Sequence, residues 1–94
     1  MAKLKNAPPP FLTRLESALV EGLQEAGIPA KVQYERIPTT RLYRLYVLAP
    51  KFKALRPMDR QDLVWRIADH AVPFKELLRV STIQTLTPEE LSGG

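Results

Sequence analysis

From Arg36 to Met58 the chain carries Arg36, Arg41, Arg44, Lys51, Lys53 and Arg56 and no acidic residue. Tyr43, Tyr46 and Phe52 are interleaved with these cations. Guanidinium and ammonium groups neutralise phosphates, and aromatic rings stack on unpaired bases. The combination is therefore the one a nucleic-acid surface uses. Arg60 and Arg66 follow closely enough to extend the patch. The competing reading is a hairpin with solvated charges and core tyrosines. The formal net charge of +4 favours an acidic partner but does not identify one. No GxxG loop is present to clamp a nucleic-acid backbone, so binding would be weaker or would use another surface.

Other chemistry is scarce. The chain has no cysteine, which excludes disulfides and thiolate metal sites. Its single histidine, His70, cannot close a metal site alone and suits a helix C-terminus, where a cation meets the dipole favourably. Serine is scarce, at Ser17, Ser81 and Ser92, and Glu89 and Glu90 are accounted for by helix capping, so no convergent acid–base set can be assembled. The reading is non-enzymatic, with no cofactor. Trp65, flanked by Asp62, Arg66 and Asp69, is either a core-edge residue or an interface anchor. Phe52 is either a plug beneath the sheet or a contact residue.

The elements that position these groups are legible as a series. Leu12, Leu15, Leu19, Leu23 and Ala26 recur at helical spacing, which predicts a helix over 10–26. It starts at Pro10 or at a Thr13–Glu16 capping box, and Gly27 and Pro29 end it. Alternation of Val32 and Tyr34 with Lys31, Gln33 and Glu35 predicts a strand over 30–37. Pro38-Thr39-Thr40 is a turn, and 41–49 is a second strand in an antiparallel hairpin. That second strand is apolar on both faces, which places it centrally in its sheet or covers one of its faces with a partner. A loop over 50–57 leads to a second helix over 58–71, stopped by Pro73. Residues 77–85 read as a third strand, with Leu78, Val80 and Thr82 alternating against Leu77, Ser81 and Ile83. Thr87-Pro88-Glu89-Glu90 is a capping box for a last short helix, with Leu86 and Leu91 placed to staple it.

Ninety-four residues make one domain with a modest core. It spans 10–91, between a basic, proline-rich arm over 1–9 and a tail over 92–94. The arm is a disordered tail or a proline-rich ligand. No apolar run nears the ~20 residues of a membrane helix, and MAKLKN does not open a signal peptide. The expectation is a soluble, cytoplasmic protein without a membrane partner.

Phe52, Arg60 and Val64, followed by Thr85-Leu86-Thr87-Pro88-Glu89-Glu90, resemble the second half of the BolA-like family, small α/β regulatory modules related to one class of KH domains. The resemblance spans roughly residues 11–91 and is specific only from Phe52 onward. It implies an α+β fold in the order α-β-β-α-β-(α), a three-stranded sheet packed by helices. Where the family typically has histidine, this chain has Gln61 and Arg79. In members that bridge an iron–sulfur cluster with a glutaredoxin, the histidine at the position of Arg79 is a ligand. Arginine stays protonated and cannot ligate, and Pro38-Thr39-Thr40 supplies no substitute. The resemblance thus implies a non-catalytic regulatory or binding module. One reading binds RNA or DNA through Arg36, Arg41, Arg44, Lys51, Lys53, Arg56 and Arg60. The other engages a glutaredoxin-like or other protein through Phe52, Trp65 and Arg79, without a cluster ligand of its own.

Overall fold

The computed structural model describes residues 8–93. The expected arm over 1–9 lies mostly outside them. Pro8 and Pro9 precede the first helix without regular structure.

Helix α1 runs over Pro10–Glu25, with proline at its first position, where the missing N–H costs nothing. Phe11, Leu12, Leu15, Leu19 and Leu23 form its buried stripe. Gly27 takes φ +80°, and the bonds Ile28 N–H to Leu23 O (2.8 Å) and Gly27 N–H to Gln24 O (2.9 Å) close the helix as a Schellman motif. Strands β1 (Lys31–Arg36) and β2 (Tyr43–Leu48) form the antiparallel hairpin. The stretch expected as a loop after β2 contains a 3₁₀ turn, Pro50–Ala54, that drives Phe52 into the core. Helix α2 (Pro57–Ala71) follows, again with proline at the start.

The third strand differs from expectation. Residues Phe74–Leu77 form a one-turn helix, α3, and β3 runs over Val80–Leu86. Four residues are too few for a helical period to show against a strand-like run. Strict alternation also fails: Tyr43 pairs with Val80, but Arg44 pairs with Thr82, so Ser81 is an extra, bulged residue. The bulge shifts the phase by one, and Val80 and Ile83 are consequently both buried. Helix α4 (Pro88–Leu91) closes the chain with the Thr87–Glu90 capping box. Beyond it, the Ser92 hydroxyl donates to Pro88 O at 2.9 Å.

The fold is α+β, with a mixed sheet in the order β1-β2-β3. β2 is central, antiparallel to β1 and parallel to β3. One sheet face carries Leu45, Val47, Ile83 and Thr85 into a core shared with α1 and α2. α1 and α2 meet where Gly22 faces Ile67: a Cβ on Gly22 would sit 3.0 Å from the Ile67 Cδ1, so glycine sets how closely the helices approach. The opposite face presents Lys31, Gln33, Glu35, Arg44, Tyr46, Thr82 and Gln84.

Candidate functional site

The acid-free stretch does not converge on one place. β2 holds its halves apart, because a six-residue strand separates its ends by roughly 17 Å. Arg36, Arg41 and Arg44 belong to the hairpin end. Lys51, Lys53 and Arg56 belong to the turn beyond the other end.

The hairpin end is the more organised. Its tip is tied by Thr40, whose hydroxyl donates to Ile37 O (2.7 Å) and accepts from Leu42 N–H (3.0 Å). Thr39 sits at φ 62°, a costly conformation for a β-branched residue, and is held there by the turn. Arg79 joins this end from the start of β3. Its guanidinium lies 5.2 Å from the Phe11 ring centroid and 5.7 Å from that of Tyr43, and its Nε donates to Arg41 O at 3.2 Å. Such stacking fixes a cation without neutralising it. Arg36, Arg41 and Arg79 make no ion pair with any described residue. Arg44 is different. It is paired with Glu35 at 2.7 Å, and the Tyr46 hydroxyl donates to the same Glu35 oxygen at 2.9 Å. The Tyr46 bond first, then the Arg44 bond, hold the Glu35 carboxyl below its ordinary range. Phe11 lay outside the leucine stripe read from the sequence, and no local pattern links it to Arg79, 68 positions away.

At the other end, Arg56 pairs with Asp59 at 3.0 Å, while exposed Lys51 and Lys53 make no ion pair among the described residues. Beside them a shallow recess of about 480 Å³, lined by Leu48, Pro50, Pro88 and Leu91, opens on the sheet face.

Two expected site residues are excluded from the surface. Phe52 is fully buried, so it is a plug and cannot stack on a partner. Arg60 is 5% exposed and its guanidinium serves the fold. It donates to Leu55 O (3.1 Å), Thr85 O (3.1 Å) and Glu90 Oε1 (2.9 Å), and lies 5.6 Å from the Phe52 ring centroid. Glu90 in turn accepts from the Thr87 N–H at 2.9 Å. That bond, and next the one from Arg60, lower its pKa. The sequence shows Arg60 as one more cation in a basic region. Only the tertiary structure shows its carbonyl partners.

Gln61 acts beside it. Its Nε2 donates to Ile83 O at 2.7 Å, and its Oε1 accepts from Trp65 Nε1 at 3.0 Å. Trp65 is thereby held half-buried at the core edge. Arg60 and Gln61 together cap the outward carbonyls of β3. His70 ends α2, its Nδ1 2.9 Å from Arg66 O, and the described residues contain no cluster of three or more potential metal ligands. Among the described residues no helix is long and apolar enough to cross a membrane.

The fold and this surface define a small α+β domain with a mixed three-stranded sheet and an arginine-bearing hairpin end. No protein-family model matches the chain, and no curated protein matches it.

Proposed function

We propose that the chain is a non-catalytic binding module of BolA-like type whose hairpin end engages the phosphates of nucleic acid. One observation carries the reading: Arg36, Arg41 and Arg79 share one end of the sheet without a carboxylate partner among the described residues, and Arg79 is fixed there by two aromatic rings. A pre-positioned, un-neutralised cation is what phosphate contact requires. The element order supports the family resemblance. Gln61 and Arg79 leave the histidine positions without a ligand, so the proposal includes no iron–sulfur chemistry.

A second reading rests on a different observation. Phe74 and Leu78 are 71% and 61% exposed and stand four residues apart beside Arg79. Apolar side chains at that spacing share a helix face and suit a protein partner, of glutaredoxin-like or other kind.

Fluorescence anisotropy with single-stranded RNA and duplex DNA at about 50 and 200 mM salt separates the two. Phosphate binding weakens steeply over that range. Replacing Arg36 and Arg41 together by Glu should abolish it, while Lys51→Glu with Lys53→Glu should change affinity less than about twofold if only the hairpin end is used. Salt-independent or flat curves would overturn the nucleic-acid reading. Affinity capture that is lost with Phe74→Ser/Leu78→Ser would then support the protein reading.

A further inference from the structure

The outer edge of β1 has no strand beside it in the sheet. Ile37 N–H donates to Leu42 O at 2.9 Å, and these two residues are directly opposite in the hairpin register. Hydrogen-bonded pairs alternate in an antiparallel ladder, so Glu35, Gln33 and Lys31 also turn their main-chain groups toward β2. Val32, Tyr34 and Arg36 therefore point theirs outward. Among the described residues, no loop or side chain bonds these groups. β1 contains no proline and no bulge to blunt its edge, and the charges Lys31 and Glu35 that it carries are of opposite sign.

We infer that two copies of this chain associate through antiparallel pairing of their β1 edges about a two-fold axis at Gln33, giving one continuous six-stranded sheet. The register follows from three requirements. Hydrogen-bonded pairs must join residues whose groups point outward, and a register centred on Gln33 joins Val32 to Tyr34 of the second copy, twice. Cross-strand pairs must be compatible, and Val32 against Tyr34 is a β-branched–aromatic pair between two half-buried side chains. Charges must match. This register sets Lys31 opposite Glu35 of the second copy, twice, in the closely spaced non-hydrogen-bonded positions of the exposed sheet face. Moving the axis to Tyr34 would instead set Gln33 opposite Glu35 and Val32 opposite Arg36, and both matches would be lost. The proposal is independent of nucleic-acid binding.

Sedimentation equilibrium with the full chain tests association, expecting twice the 10.7 kDa chain mass at roughly 100 μM, above a micromolar dissociation constant. Cross-linking tests the register. The chain has no cysteine, and residues facing across the axis lie about 4.5 Å apart at Cα, within disulfide reach. Gln33→Cys should oxidise to a covalent dimer, whereas Thr82→Cys, equally exposed but on β3, should not. Lys31→Glu creates two like-charge pairs and should weaken dimerisation roughly tenfold, and adding Glu35→Lys should recover it. A monomer at that concentration overturns the inference. So does a dimer in which Gln33→Cys cross-links no faster than Thr82→Cys, or one indifferent to Lys31→Glu.

Discussion

β1 and β3 are both edge strands of one three-stranded sheet, and they are finished in opposite ways. On β3, the outward carbonyls of Ile83 and Thr85 are occupied by Gln61 and Arg60 from α2. The Arg60 guanidinium then reaches Glu90, which closes the cap of α4. One helix turn thus seals an edge, holds Phe52 from above and anchors the C-terminal helix. On β1 no equivalent exists among the described residues, and Val32, Tyr34 and Arg36 leave their outward groups to solvent. The difference teaches that a sheet edge in a small domain is sealed where a helix starts beside it. α2 begins next to β3, whereas α1 lies over the helix-covered face of β1 and supplies no side chain to its edge.

Breaking the sealed edge should cost most. Arg60→Met keeps much of the side-chain length but strands Thr85 O and Leu55 O without their donor. It should destabilise the fold by about 3 kcal/mol, read by urea denaturation. Gln61→Leu should cost less, about 1.5 kcal/mol, because it leaves one buried carbonyl and one indole N–H unpaired. A shift in Trp65 fluorescence should accompany it.

Acid should act on both edges at once but more gently. Glu35 beside β1's partner strand and Glu90 beside β3 each have a lowered pKa in the folded chain. Their contribution is therefore fully present above the ordinary carboxylate value of 4.5 and is lost as pH falls through the lower folded value. Thermal melts between pH 6 and pH 3 should show stability falling with acid, and Glu90→Gln should flatten that dependence more than Glu35→Gln, because Glu90 also carries a helix cap. At the open edge, Gln33→Ala should change folding stability by less than about 0.5 kcal/mol in dilute solution, since the side chain is exposed and bonds nothing among the described residues. A loss comparable to that of Gln61→Leu would show that the two edges are equivalent after all.

Much of this arrangement was readable from residue order. The leucine stripe of α1, Gly27 at its end, the alternation in the hairpin and the Thr87–Glu90 box each depend on neighbours within a few positions. Local sterics and hydrogen bonding fix such features. The placement of β2 at the centre was legible as one of two readings of a strand apolar on both faces. The candidate site was legible only in part. The cations were visible, but a run of like charges along the chain says nothing of which side chains point into the protein.

The sequence by itself therefore determined the α+β element order, the principal core residues, the capping of the last helix and the chain's basic character. The tertiary structure decided the rest. It inserted α3 and the bulge at Ser81, split the basic stretch between the two ends of β2, and turned Arg60 and Phe52 inward. It also gathered Arg79, Phe11 and Tyr43 at one end. These outcomes depend on partners far apart in sequence, such as Arg60 with Thr85 and Arg79 with Phe11. No local periodicity encodes them, because the energy of a buried hydrogen bond or a stacked cation belongs to the pair and exists only once the fold brings the two together.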